Sequence, residues 1–216
     1  MTGRLGHVYW IGGGPGAGKS TIARRLAARH DWHLYVTDDA MESHARRTTP
    51  QDAPFLHEFL AMDMDQRWLE RSPRTMADTF HWFRGEGFGL IVEDLLALPR
   101  DRSIVVEGFR LLPHLVKPLL PGPGHAVWLL PTPEFRQTAI RSREGFVRRT
   151  SDPERAERQL AERDALFIGR LEQETKRLGL PAVRVDVGMA EDGLLEQVDG
   201  LFQEGSSRPG PGWSRR

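Results

Sequence analysis

The 216-residue chain contains no cysteine, which removes disulfides, thiolate metal sites and cysteine nucleophiles and fits a reducing cytoplasm. Asparagine is missing too, so an Asn-Lys-x-Asp guanine-reading motif cannot be built and a GTPase of that type is excluded. Charge of either sign is not in excess: 30 Lys+Arg balance 30 Asp+Glu. No global basic field therefore recruits nucleic acid. Lysine occurs only at Lys19, Lys117 and Lys176, the remaining cations being arginine. No apolar run approaches the ~18 residues of a membrane-spanning helix, and residues 1–6 lack the apolar core of a signal peptide. The expectation is a soluble cytoplasmic protein with neither nucleic acid nor membrane as partner. A Leu-Ser-Gly-Gly transporter signature is absent, there are no internal repeats, and the length leaves little room for the helical second domain of ring ATPases.

What is present is concentrated near the start. Gly13-Gly14-Pro15-Gly16-Ala17-Gly18-Lys19-Ser20, followed by Thr21, is a complete G-x-x-x-x-G-K-[ST] loop. Its glycines let successive backbone N–H groups turn toward phosphate oxygens, Lys19 reaches the β- and γ-phosphates, and the Ser20 hydroxyl can ligate Mg²⁺. An apolar run precedes it and a helical pattern follows, the context this loop requires. ATP and Mg²⁺ are the expected cofactors.

Apolar, β-rich runs recur at 7–11, 33–36, 103–106, 126–130 and 182–187, with helical stretches between them. This alternation implies a parallel sheet of about five strands covered on both faces, an α/β domain whose ligands sit at the carboxyl ends of the strands. A single domain is expected over 1–204. An insert over about 40–100, with apolar residues at helical spacing, suggests two or three helices and a break around 84–89, where Gly85, Gly87 and Gly89 interrupt the pattern. A second helical region from 133 to about 178 divides near Thr150-Ser151-Asp152-Pro153, a helix-start signal. The Gly/Ser/Pro/Arg composition of 205–216 reads as a disordered tail.

Two acids, Asp38 and Asp39, end the second run. Either could take a proton from an attacking hydroxyl, with Asp38 the first choice, or could cap the next helix. Glu107 ends the third run. It suits a Mg²⁺-orienting acid acting through water, the alternative being a structural pairing with Arg110.

Together, the loop at 13–21, the acid after strand two, Val105-Val106-Glu107-Gly108 and a late Arg-rich segment resemble the nucleoside/nucleotide-kinase branch of P-loop proteins, the group that includes adenylate, shikimate and uridine kinases. The resemblance covers about residues 7–203. It implies a P-loop NTPase three-layer sandwich with sheet order 2-3-1-4-5, an acceptor-side helical insert and a mobile LID, here about 136–163. Within the LID, Arg143 and Arg148 are candidates for charge placed against the transferring phosphate, although arginine-rich helices are often merely solvated. Arg163 resembles the nucleotide-contacting arginine on the helix after the LID. In the insert, Arg67, Trp68, Phe80, His81, Phe83 and Arg84 could stack on and hydrogen-bond a ring-shaped acceptor, with Asp38, Asp39 and Glu107 completing its site, or the rings could be core. His44, Arg46 and Arg47 could meet substrate or coat a helix. The leading function is an ATP-dependent kinase acting on a small-molecule hydroxyl of a nucleoside, nucleotide, sugar or antibiotic. A switch or ATPase coupled to a partner is the alternative.

Overall fold

A computed structural model describes residues 4–140 and 147–207. Five parallel strands form one sheet: β1 (Val8–Gly13), β2 (His33–Val36), β3 (Ile104–Glu107), β4 (Ala126–Pro131) and β5 (Ala182–Val185). Their order is β2-β3-β1-β4-β5, as the resemblance implies. The central strands are apolar throughout because both faces are covered. Trp10, Val106 and Trp128 face one layer with Phe167 and Leu171. Their neighbours Ile11, Val105, Val127 and Leu129 face the other, against Ile22, Leu26, Val198 and Phe202. The second layer is made by α1 (Lys19–His30) and α10 (Glu191–Ser207). The first is made by α6 (Phe88–Ala97), α7 (Pro113–Val116) and α9 (Pro153–Leu178).

Between β2 and β3 the chain forms not two or three helices but five: α2 (Met41–Arg46), α3 (Pro54–Ala61), α4 (Met64–Trp68), α5 (Pro73–Thr79) and α6, with a 3₁₀ turn at His81–Arg84. The reason is local termination. Asp63 and Gln66 close a capping box at the start of α4, and Ser72 caps α5 just before Pro73, so what reads as continuous periodicity is cut into short pieces. The expected break is there: Gly85 and Gly87 both take positive φ before α6 begins. The Glu86 carboxylate then ties the break to α3, accepting from the N–H groups of Phe55 and Leu56 at 3.0 and 2.9 Å.

After β4, α8 (Pro133–Ile140) and α9 divide the late helical region, and Asp152 caps α9 by accepting from the Arg155 N–H at 3.0 Å. The 3₁₀ turn Val147–Arg149 and the first turns of α9 are not a detached flap. Val147, Ala156 and Leu160 share a third core with Leu56, Trp68, Met76 and Phe80 of the insert. The Ser151 N–H donates to Asp65 Oδ1 at 2.8 Å, and the Gln159 amide donates to the Trp68 and Leu69 carbonyls. The described part of the expected LID is thus packed onto the helical insert. Among the described residues, no helix is long and apolar enough to cross a membrane.

Candidate active site

In parallel sheets of this kind the crevice lies at the carboxyl ends of the strands, where the order reverses about β1. The loop 14–18 leaves β1 there and delivers Lys19 and Ser20 to the first turn of α1, with Gly18 at the cap in the left-handed region (φ 80). Lys19 is buried, not solvated, and its Nζ donates to the Gly14 carbonyl at 2.8 Å. On the neighbouring strand Glu107 is 2 % exposed and is in register with Ile11 of β1 and Val36 of β2. Asp38 lies two residues beyond Val36, the last residue in register, and the Thr37 N–H between them donates to the Glu107 carbonyl at 3.0 Å. Gly108 makes that approach possible: a Cβ there would lie 1.7 Å from Thr37 Oγ1, on a backbone at φ 152.

These groups open on one cavity of about 420 Å³. One end is the loop 15–20 with Asp38 and Glu107; the other is formed by Phe59, Trp68, Phe80, His81, Trp82 and Phe83, with Arg163 and Asp164 on α9. Asp38 remains accessible to water within the cleft. Surrounding protein still desolvates it and pushes its carboxyl up, with Lys19 pulling the other way and Asp39 adding to the rise. Burial also pushes the Glu107 carboxyl up against the opposing pull of Lys19 and the Ser20 hydroxyl. Glu107 Oε1 has no hydrogen-bond partner. A buried carboxylate oxygen left without a donor, next to a hydroxyl and a phosphate loop, fits a hydrated cation. Among the described residues no group of three His, Asp or Glu could hold a metal without further help, so Mg²⁺ here would rely on Ser20, phosphate oxygens and water, oriented by Glu107.

The remaining candidates separate. Glu107 does not pair with Arg110, which donates to the Thr37 and Gly87 carbonyls at 3.3 Å each and stacks 4.0 Å over Trp82. Its burial lowers Arg110 to about 10. Neither acid of the Asp38-Asp39 pair caps a helix: α2 begins at Met41 behind Ala40, with no side-chain cap. Asp39 is exposed and does not line the cavity. Arg67 and Arg84 do not line it either. Arg67 donates to the Phe59 and Leu60 carbonyls, and Arg84 to the Asp78 carbonyl, each lying over a phenylalanine ring. Arg148 is exposed on its turn, and Arg143 lies outside the described residues. His44 and Arg47 hold Asp94 at 2.7 Å each and Arg46 pairs with Glu42, so this helix is knitted to α6. The rings of the insert serve both readings at once, being core residues that also face the cavity.

Sheet order, phosphate loop and strand-end acids now stand together. The fold is that of the P-loop nucleoside and nucleotide kinases. Several solved structures resemble it. A gluconokinase from Sinorhizobium meliloti 1021 is 16% identical, with 94% of this chain and 96% of that one covered at a TM-score of 0.49. A deoxyadenosine kinase from M. mycoides with bound dATP is 11% identical over 91% and 99%, at 0.46. A shikimate kinase from Acinetobacter baumannii in complex with shikimate is 12% identical over 91% and 90%, at 0.44. No family model matches the chain, and no curated protein does.

One pair escaped the sequence reading within this P-loop kinase fold. Arg136 of α8 donates to Asp164 Oδ2 at 2.9 Å, while Arg163 donates to Asp164 Oδ1 through Nε at 2.8 Å and Nη2 at 2.5 Å. Asp164 is flanked by Arg163 in sequence, but nothing local announces its partner 28 residues earlier. His81, read from the sequence as a possible acceptor contact, is buried in the cavity wall, and burial, together with Arg110, Arg163, Arg67 and Arg71, depresses it to about 3.

Proposed function

We propose that the protein is an ATP-dependent kinase that transfers the γ-phosphoryl group to a hydroxyl of a small molecule, with Mg²⁺ as cofactor. The observation that carries this is the one cavity in which Lys19, Ser20, Asp38 and Glu107 meet an aromatic-lined chamber. Phosphoryl transfer needs positioning and electrostatic stabilisation more than covalent help from the protein. The loop 13–21 holds the triphosphate, and Lys19 offsets charge on its terminal oxygens. Bound Mg²⁺ supplies further charge neutralisation at the phosphates. Asp38 accepts the hydroxyl proton as the acceptor oxygen bonds to the γ-phosphorus, and the bond to the β–γ bridging oxygen breaks to release ADP. An elevated carboxyl pKa makes Asp38 a better base than a solvated aspartate.

The aromatic chamber favours this reading over a switch or ATPase, since hydrolysis alone requires no ring-lined compartment beside the phosphate loop. Arg143 and Arg148 stay assigned to phosphate charge stabilisation. The absence of cysteine supports the cytoplasm as compartment. A coupled ADP-release screen over nucleosides, nucleotides, sugars, cofactors and aminoglycoside-like compounds tests the function. Release stimulated by one compound, with its phosphorylated form found by mass, is expected; release indifferent to every compound would favour an ATPase.

A further inference from the structure

Resting on the kinase reading, we propose that Asp94 is a positioning residue for Asp38: its one carboxylate ties down the chain on both sides of the turn that carries the base, and so fixes where Asp38 meets the attacking hydroxyl.

Asp38 needs such help because little holds it directly. It lies in the turn 37–40 between β2 and α2. Among the described residues, the one hydrogen bond to its carboxylate comes from the Thr37 hydroxyl at 3.3 Å, long for an O–H donor. The helix that follows gives no firm footing of its own. α2 has six residues and no side-chain cap, and a helix this short does not hold its place in water without tertiary ties.

Asp94 supplies those ties. It stands on α6, whose Ile91, Val92 and Leu95 are seated in the core. On the strand side of the turn, the Tyr35 hydroxyl donates to Asp94 Oδ2 at 2.7 Å. On the helix side, His44 Nε2 meets the same oxygen at 2.7 Å and Arg47 donates to Oδ1 at 2.7 Å. Against the desolvation of Asp94, the bonds from Arg47, His44 and Tyr35 hold its carboxyl down at about 2, so it can only accept. Burial pushes the His44 imidazole down; being neutral, it carries on Nε2 the proton that it shares with Asp94. Bonds to an ionised acceptor are about twice as strong as neutral ones. Between the two flanks, Arg110 braces the middle of the turn by donating to the Thr37 carbonyl and to the Gly87 carbonyl at the start of α6. That Thr37 carbonyl belongs to the peptide unit leading into Asp38. Tyr35, His44 and Asp94 do not line the cavity, so the turn is the route by which they reach the reaction.

Hydrolysis of γ-labelled ATP by the full chain with Mg²⁺ tests this with water as the acceptor. A water in the place of the acceptor hydroxyl gives its proton to Asp38 as its oxygen bonds to the γ-phosphorus, and the β–γ bridging oxygen leaves with ADP. Asp94→Asn should lower kcat about ten- to a hundredfold, the scale of a reacting group misplaced by about 1 Å, with KM for ATP unchanged. The double variant Tyr35→Phe/His44→Leu keeps the Asp94 charge while cutting a tie on each flank, and it should act in the same way. Asp94→Glu should retain part of the rate. Adding Asp94→Asn to Asp38→Asn should cost nothing further, because Asp94 acts through Asp38. Asp199→Asn is the control for stability: that carboxylate joins Arg29 and His30 of α1 to α10 at 2.8 Å each, and its loss should lower the melting temperature and leave kcat alone. Unchanged kcat in Asp94→Asn overturns the proposal, as does a further loss in Asp38→Asn/Asp94→Asn or an equal loss in Asp199→Asn. If Asp38→Asn alone is as fast as the unmodified protein, the base and the proposal fall together. The kinase reading fails separately, when no small molecule draws the label away from inorganic phosphate; the pattern among these variants then stands as that of an ATPase.

Discussion

Asp164→Asn should destabilise the protein far more than its single-atom change suggests. Asp164 accepts from both Arg136 and Arg163, with Oδ2 accepting from one and Oδ1 accepting twice from the other. An asparagine keeps one acceptor oxygen but turns the second atom into a donor that points at a guanidinium. At least one charge-assisted contact to the carboxylate is then lost, and the negative charge between two buried guanidiniums is gone. Breaking a buried pair by removing one partner costs about 3–5 kcal/mol. Because the amide retains one oxygen, the lower end applies, about 3 kcal/mol. For a chain of this size that corresponds to a drop in melting temperature of about 6–12 °C. Urea titration and thermal unfolding of both proteins at one pH measure it. Removing one cation as well, in Asp164→Asn/Arg136→Met, should recover part of the loss, because one of the two guanidiniums that faced the carboxylate is then gone. A loss under about 1 kcal/mol, or a double variant less stable than the single, would refute the claim that the cluster is held by this carboxylate.

Lys19→Ala should lower turnover at least about a hundredfold, the scale of losing a charge aimed at the transferring group, while far-UV circular dichroism stays native; unimpaired turnover would remove the loop from catalysis. Asp38→Asn should bind ATP yet lose phosphoryl transfer. In the unmodified protein kcat/KM should fall on the acid side at a pH above the ordinary aspartate value, since burial raises Asp38, and Asp39→Asn should move that limb down because Asp39 contributes to the rise; an unmoved limb counts against Asp38 as the base. His81 is depressed in the fold from 6.5 to about 3. The unfolded chain therefore takes up the proton first, and the stability contributed by neutral His81 is present above its ordinary value and lost as pH falls toward about 3. Urea titrations at pH 7 and pH 5 should show the protein losing about 2 kcal/mol more than His81→Gln over that interval; equal losses would mean that His81 titrates normally.

What sequence made legible was whatever is encoded by neighbours along the chain. The phosphate loop, the acid after β2 and Glu107 at the end of β3 are each readable from a strand pattern followed by a short motif, because backbone geometry at a strand end carries the side chain into the crevice. The Asp152-Pro153 helix start is local in the same way. The count of helices in the insert was not legible, since periodicity continues across the Asp63 and Ser72 caps that divide it. Nor was the assignment of Glu107 to Arg110, two near neighbours that the fold separates by sending Arg110 across to Thr37 and Gly87. The Asp38-Asp39 cap failed for another reason: the chain takes an extra turn before α2. Arg67 and Arg84 look like substrate contacts by composition, yet carbonyls of their own insert occupy them. Arg136 with Asp164, and the field that neutralises His81, depend on α8, α9 and the insert meeting in space.

The central claim is transfer of phosphoryl to a small molecule. Incubating the protein with Mg²⁺, ATP labelled at the γ-phosphorus and a hydroxylic acceptor from the screen, then following where the label goes, tests it most directly. The account places the label on the acceptor, with that product absent in Asp38→Asn. Label found only in inorganic phosphate, whichever acceptor is present, would contradict it.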